Sequence, residues 1–281
     1  METLFVLYSN SETVFSCFLS TNTKVIREIK AIVLSCELPI IKKEDMKNKI
    51  FAVILILLSV ISNAQEGELI SKKSILLGLT FSPDYCYRSL RYNSSDEDFA
   101  NYRNEIEIPK FGFTTGINAV FMFNKSIAME LGLHFSDKGQ QTKKIEISQE
   151  DPDQTLPDEI HNTWHYYYID IPVKLNYFII KGNLKLFVSP GISGNIFLKQ
   201  KRVKREFNPD NEFTYFTTEG FSKLNIAVIL GAGLDYSITK KLSLRFEPIF
   251  RYALTPLDDF EIKRYPYSMG ANFGFYYKLK K

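Results

Sequence analysis

The chain of 281 residues has little cysteine and no large excess of either charge. Its three cysteines, Cys17, Cys36 and Cys86, form no Cys-x-x-Cys pair, so the sequence offers no redox or metal motif of that spacing. The net charge of +3 is too small to indicate a nucleic acid or an acidic partner. Composition alone therefore gives no support for a dithiol redox protein, a Cys-x-x-Cys metal protein or a nucleic-acid-binding protein.

The usual catalytic motifs are missing as well. There is no Gly-x-Ser-x-Gly elbow and no phosphate-binding Gly-Lys-Ser/Thr loop. His161 and His165 have the spacing of a helical metal pair, but the Glu of a His-Glu-x-x-His site is absent between them. No Ser/His pair falls at matched strand heights. We therefore predict no catalytic residue, no cofactor-binding residue, no metal site and no bound cofactor.

An apolar run long enough for a transmembrane helix is also lacking. The longest run, residues 50–61, is shorter than the roughly 20 residues that such a helix needs. It follows the basic segment Met46-Lys-Asn-Lys and precedes the small-residue site Ser62-Asn-Ala. This arrangement predicts a secretory signal peptide at residues 46–64, cleaved after Ala64.

Residues 1–45 show neither a sustained period of two nor a convincing helix. Because a signal peptide belongs at the N-terminus, we predict that translation starts at Met46 and that residues 1–45 are a mis-annotated start. The alternative is a genuine, poorly ordered N-terminal extension with an internal signal anchor. N-terminal sequencing of the mature protein separates the two, since the first predicts a start at Gln65.

What the sequence does contain is alternation with a period of two, from residue 74 onward. In residues 265–279 one set of alternate residues is apolar and mostly aromatic, and the other set is small or polar. The segment is about twice the usual strand length. The same pattern marks seven earlier segments, which begin near residues 75, 111, 127, 167, 184, 224 and 242.

The connections between these segments are alternately long and short. The long polar stretches are residues 91–110, 138–163, 199–220 and 256–264, and short turns separate the other strands. This rhythm is typical of an outer-membrane barrel. We predict an all-β fold: an eight-stranded antiparallel up-and-down transmembrane β-barrel at residues 65–281, with both termini periplasmic. A soluble sandwich would need shorter strands and more even loops.

Charged residues occupy the inward set of alternate positions. Since an eight-stranded barrel is just wide enough to be filled by side chains, we predict a lumen-filling polar network, formed by Glu130, Asp170, Lys174, Lys185, Asp235, Arg245, Glu247 and Arg251. The alternative is a narrow ion pathway or a catalytic carboxylate pair. His134 is expected to face the lumen and to hydrogen-bond there, and Cys86 is interpreted as a small wall or lumen residue.

The basic run Lys199-Gln-Lys-Arg-Val-Lys-Arg205 has two interpretations. It is either a solvated extension of a strand or a cationic surface for lipopolysaccharide headgroups at the outer rim. Neither interpretation involves catalysis.

Five short motifs follow one another along the chain: Ser62-Asn-Ala-Gln65, Leu77-Gly-Leu-Thr-Phe-Ser82, Leu133-His-Phe-Ser-Asp-Lys-Gly139, Tyr168-Ile-Asp-Ile-Pro-Val-Lys174 and Leu230-Gly-Ala-Gly-Leu-Asp-Tyr236. In order and spacing, the chain resembles the PorT-like outer-membrane β-barrel proteins of Bacteroidetes-type bacteria over about residues 72–281. The resemblance implies an eight-stranded barrel, usually of unknown role, whose founding member is linked to protein secretion across the outer membrane. No residue motif for that role is identifiable here.

These observations predict a non-enzymatic integral protein of the bacterial outer membrane, with a filled lumen and surface loops in a structural or interaction role. The alternatives are an accessory component of a secretion or envelope-assembly system and a narrow small-solute channel. The expected partners are outer-membrane lipid and lipopolysaccharide, the barrel-insertion machinery during biogenesis, and envelope or secretion proteins.

Overall fold

The computed structural model describes residues 74–147 and 157–279, which belong to one compact unit, Leu69–Lys281. The signal peptide predicted at residues 46–64 and the extension predicted at residues 1–45 lie outside the described residues. Within these residues one α-helix, α1, preceded by a short 3-10 turn at Ser94–Asp96, and eleven strands follow in chain order. They are β1 Ile75–Arg91, α1 Glu97–Ile106, β2 Glu107–Met122, β3 Ile127–Thr142, β4 Ile145–Glu146, β5 Glu159–Ile180, β6 Leu184–Val188, β7 Gly191–Phe207, β8 Asn211–Thr217, β9 Leu224–Ser237, β10 Leu242–Ala253 and β11 Lys263–Lys278.

The strands close into a ring. Each of β1, β2, β3 and β5 pairs antiparallel with the next in that order. On the other side β5 pairs with both β6 and β7, and these two pair with β9, so they form one strand interrupted at residues 189–190. The pairs β9–β10, β10–β11 and β11–β1 complete the circle. The all-β antiparallel prediction is confirmed, and the ring of eight strands agrees with the predicted count.

Alternate residues of each strand face opposite sides of the wall because successive side chains of a strand point to opposite faces. On β1 the outward residues Leu79 and Phe81 are exposed, whereas the inward residues Ser82 and Asp84 are buried. On β11 the outward Phe273 and Phe275 are likewise exposed. The large apolar side chains therefore lie outside and the polar ones inside, the reverse of a soluble protein.

The two ends of the barrel differ. We call the end with the short connections, such as residues 181–183 and 238–241, the turn end, and the opposite end the loop end. Tyr167, near the loop end, and Tyr177, near the turn end, flank the apolar outward face of β5. The ten residue steps from Tyr167 to Tyr177 span about 33 Å along the strand, or about 25 Å of height at a tilt of about 40°. That height matches the apolar band of an outer-membrane barrel.

Aromatic side chains form a girdle around the outward face near the loop end. On one side Phe113, Phe135 and Tyr167 are in contact, with ring centroids 6.0 and 5.8 Å apart. On the other side Tyr267 lies 6.0 Å from Tyr87 and 6.5 Å from Tyr252. We call these six residues the aromatic girdle. Such rings favour the boundary between lipid and water.

Beyond the girdle the sheet continues, which corrects three predictions. The fourth predicted strand begins at Glu159 rather than Tyr167. The stretch 199–220 is largely the β7–β8 hairpin, and the stretch 91–110 contains α1. We call residues 137–146, 159–166, 199–207 and 211–217 the projecting sheet. Within residues 74–147 and 157–279, no helix has the length and apolar character needed to cross a bilayer.

Candidate functional site

The lumen is closed at the turn end by an apolar cluster. Its buried members are Val120, Ala128, Phe178, Phe187 and Tyr276. The Phe178 and Phe187 rings are 5.7 Å apart, and the hydroxyl of Tyr276 donates to Glu130 Oε1 at 3.2 Å. The cluster therefore separates solvent at the turn end from the polar groups above it.

Above this cluster lies a network of fully buried charges. Lys174 Nζ is 2.9 Å from Glu247 Oε2 and 3.2 Å from Glu130 Oε1. Arg245 contacts Glu130 at 2.6 Å and Asp235 at 3.1 Å. Two cations and three carboxylates from the four strands β3, β5, β9 and β10 are thus paired in an interior that offers little water to solvate them.

Neutral polar side chains complete this layer. Asn176 Nδ2 donates to Glu130 at 2.7 Å, Asn272 Nδ2 donates to Glu247 at 3.0 Å, and Ser189 donates a short hydrogen bond to Glu247. Each carboxylate therefore accepts several hydrogen bonds, which offset the loss of water on burial.

A second charged layer lies toward the loop end. Arg251 contacts Asp84 at 2.9 Å, and Asp84 also accepts a hydrogen bond from Thr114. Lys138 contacts Asp170 at 3.0 Å. Two further buried pairs lie beyond these, and they are Lys110–Asp137 and Arg88–Glu107.

The charged side chains of the lumen and of its loop-end rim are paired. The acidic set is Asp84, Glu107, Glu130, Asp137, Asp170, Asp235, Glu247 and Asp258, and the basic set is Arg88, Lys110, Lys138, Lys174, Lys185, Arg245, Arg251 and Arg264. With eight of each sign, every member of either set has an opposite charge within salt-bridge distance. Charges that are paired in this way leave few free sites for a mobile ion.

An aromatic cluster closes the loop end. Tyr166, Tyr168, Phe197 and Leu257 are buried there, with Phe221 packed against them. Phe221 lies 4.8 Å from Phe197 and 6.0 Å from Tyr166, centroid to centroid. Below the cluster, two small cavities among the inward side chains measure about 20 and 10 Å³. Each has room for about one water, so the space between the two clusters is filled by side chains.

The residues predicted to form the lumen network lie as follows. Seven of the eight are buried, and Lys185 is half-buried beside Asp235 at 3.4 Å. Glu130, Lys174, Arg245, Glu247 and Asp235 meet in one layer, whereas Asp170 and Arg251 belong to the second layer. The partners of these last two were missing from the prediction: Lys138 fell in a predicted loop, and Asp84 was not among the residues predicted for the network.

The three histidines of the chain lie in the described residues, and two of them contact polar side chains of neighbouring strands. His134 is buried, and its Nε2 lies 2.8 Å from Asn118 Oδ1, as the lumen-facing prediction required. His161 and His165 both lie on β5, where four residues span about 13 Å, too far for one metal ion. His165 Nδ1 contacts Asp137 at 2.8 Å, and burial lowers the pKa of His161. In the described part of the chain, no cluster of three potential ligands could hold a metal.

Inward glycines make room for the charged layers, and Gly270 provides a test. A Cβ on Gly270 would collide with the Asp84 carboxylate and the Ser82 hydroxyl. We expect Gly270→Ala to lower the free energy of unfolding by about 1–3 kcal/mol through overpacking, as measured by urea titration in lipid vesicles. Gly194→Ala is the matched control on another strand, because its Cβ meets nothing within 4 Å. Equal stability of the two variants would contradict the packing described here.

The ring, the outward apolar face and the filled interior define a transmembrane β-barrel. The chain belongs to the family described as "Outer membrane protein beta-barrel domain", which it matches over residues 63–259. It is therefore a protein of the bacterial outer membrane.

Three solved structures illustrate what the chain is similar to. Neisserial surface protein A is 12% identical, with a TM-score of 0.38, and the match covers 73% of this chain and 98% of that one. The outer membrane protein OprG from Pseudomonas aeruginosa is 13% identical, with a TM-score of 0.41 and coverage of 75% and 97%. A major outer membrane protein from Thermus thermophilus is 10% identical, with a TM-score of 0.41 and coverage of 73% and 99%. A comparison with curated proteins finds no match.

Proposed function

We propose that this protein is a non-enzymatic, non-conducting barrel that anchors the projecting sheet at the cell surface. The observation that carries the proposal is the filled lumen, with an apolar cluster at one end, paired charges in the middle and an aromatic cluster at the other. A barrel of eight strands has space for side chains but little else. The surface of the loop end is then the part available for function.

The orientation is part of the proposal. The loop end faces the exterior and the turn end faces the periplasm, as in barrels with short periplasmic turns. Both termini are then periplasmic, residues 46–64 act as the signal peptide, and the barrel-insertion machinery receives the chain there. The structure-based support is the contrast between the β7–β8 hairpin at one end and the few-residue turns at the other.

The absence of enzymatic activity is also proposed from the interior geometry. A catalytic carboxylate needs access to substrate, whereas Glu130 and Glu247 are fully buried and held by Lys174. Their surroundings favour stable ion pairs over proton exchange with a bound molecule.

Conductance measurements test whether the lumen is sealed against ions. In planar lipid bilayers at 1 M KCl, we expect the assembled protein to give no conductance steps, with a water-filled porin in the same bilayer as the positive control. Assembly is checked by heat-modifiable migration on gels. Stepwise currents from the assembled protein would overturn the proposal and favour the narrow-channel alternative.

A second candidate function is an accessory role in secretion or envelope assembly, as the PorT-like resemblance implies. One observation favours it: β8 pairs with β7 on one side, and Phe213, Tyr215 and Phe216 are exposed along it. Exposed edges of this kind can pair with a strand of another protein. Deletion of the gene should then impair secretion of surface proteins, and an unchanged set of secreted proteins would exclude this role.

A further inference from the structure

The outward face of β7 carries two lysines at the aromatic girdle. Lys199 is paired across the sheet with Tyr167, and Lys201 is paired with His165 on one side and Phe216 on the other. Cross-strand partners share a face of the sheet, so all five side chains point outward. The Lys199 ammonium lies 5.8 Å from the Tyr167 ring centroid and 5.1 Å from that of Phe216. Lys199 is thereby held at the girdle between two rings.

These lysines differ from Lys204 and Arg205 on the same strand in having no acidic partner. Lys204 contacts Glu206 at 2.7 Å, and Arg205 contacts Glu212 at 2.8 Å. Among residues 74–147 and 157–279, no carboxylate lies within salt-bridge distance of Lys199 or Lys201. Two neighbouring positive charges are thus available to an anion that approaches from the side of the barrel.

The height of Lys199 and Lys201 relative to the membrane indicates which kind of anion they can reach. Lys199 lies level with Tyr167, which marks the loop-end boundary of the apolar band, and Lys201 is one step of about 7 Å farther along the strand. Lipid phosphates occupy this level, just outside the hydrocarbon. Phe216, which is 61% exposed on the same face, is placed to insert among the lipids. A soluble partner would instead approach the projecting sheet from above.

We propose that Lys199 and Lys201 bind the phosphate groups of lipid A, the anionic anchor of lipopolysaccharide in the outer leaflet, while Phe216 packs against the lipid. The ammonium groups donate charge-assisted hydrogen bonds to phosphate oxygens, and Tyr167 holds Lys199 in position. This proposal rests on the orientation given above, in which the loop end is exterior.

The test uses the full chain refolded in zwitterionic detergent micelles and immobilised. Labelled bisphosphorylated lipid A is titrated in, and the amount retained gives a Kd. We expect Lys199→Glu combined with Lys201→Glu to weaken retention by about tenfold or more, since each basic residue near an anionic surface contributes several-fold. Lys240→Glu combined with Lys241→Glu is the matched control at the turn end, where both lysines are exposed. It makes the same change of charge and should bind as the wild type does.

The outcomes separate this proposal from the proposed function. The lipid A site would be overturned if the Lys199/Lys201 variant retained lipid A within twofold of wild type. It would also be overturned if the Lys240/Lys241 variant lost as much retention, or if wild type bound dephosphorylated lipid A as tightly as the bisphosphorylated form. Heat-modifiable migration confirms assembly of each variant. If the glutamate pair fails to assemble, Lys199→Gln with Lys201→Gln replaces it, with at least a fivefold loss expected. Conductance by the wild-type protein would refute the sealed barrel without affecting the lipid A measurement.

Discussion

Replacing Glu130 with alanine is expected to lower the free energy of unfolding by about 3–5 kcal/mol. Glu130 is fully buried and contacts Arg245 at 2.6 Å and Lys174 at 3.2 Å. It also accepts hydrogen bonds from Asn176 and Tyr276. Its removal leaves a positive charge without full compensation in an interior that has no bulk water, and that cost is much larger than the loss of a surface ion pair.

The measurement is urea-induced unfolding of the protein in lipid vesicles, followed by far-ultraviolet circular dichroism. Glu105→Ala is the matched control, because Glu105 is an exposed glutamate on α1 and its removal should change stability by less than about 0.5 kcal/mol. Glu130→Gln should fall between the two, since the amide keeps some hydrogen bonds and loses the charge. If Glu130→Ala and Glu105→Ala had the same stability, Glu130 would not be buried among cations.

The second large effect concerns the lipid-facing wall. Phe273→Arg is expected to destabilise the inserted barrel by about 2–4 kcal/mol, the cost of an arginine near the middle of the bilayer. Phe273 is 51% exposed, and it lies between Phe81 of β1 and Phe246 of β10 in the cross-strand register. If Phe273 faced water, Phe273→Arg would leave the stability of the barrel nearly unchanged, whereas an arginine that faces lipid lowers it.

Phe213→Arg is the matched control, because Phe213 is also exposed but belongs to β8 in the projecting sheet. Unfolding titrations in vesicles of both variants, beside the fraction that inserts on refolding, give the comparison. The wall is lipid-facing if only Phe273→Arg loses stability and insertion. Equal tolerance of both would mean that the apolar face of β11 does not contact lipid.

The strands of the wall could be predicted because lipid and interior impose opposite demands on alternate residues. Residues 265–279 show this clearly, and β11 spans Lys263–Lys278. Beyond the girdle both faces of a strand meet polar surroundings, so the contrast disappears. For that reason residues 159–163 of β5 and the β7–β8 hairpin were predicted as loops.

The ion pairs were less predictable than the residues that form them. An inward position follows from alternation, but its partner depends on the stagger of strands around the ring. Glu130 and Arg245 are 115 residues apart, and Arg251 and Asp84 are 167 apart. Residues 136–140 are all buried, so the alternation of inward and outward residues is lost around Lys138. Its pairing with Asp170 could therefore not be predicted from the sequence pattern.

A sealed lumen leaves the loop end as the functional surface of the barrel. If nothing passes through the barrel, the projecting sheet and the rim below it are the parts through which the protein acts. Lys199 and Lys201, at the base of the projecting sheet, would fix it in the outer leaflet, which leaves the exposed Phe213 and Tyr215 of β8 free to meet other molecules.

The most direct test of the sealed lumen uses the native thiol of Cys86, which is fully buried and lies on the inward face of β1. Cys17 and Cys36 are replaced by serine, and the vesicle-inserted protein is treated with a charged, membrane-impermeant methanethiosulfonate. We predict no modification of Cys86 until urea unfolds the barrel, whereas a cysteine introduced by Thr214→Cys on β8 should react at once. Rapid modification of Cys86 in the folded protein would show a water-filled lumen and contradict the account.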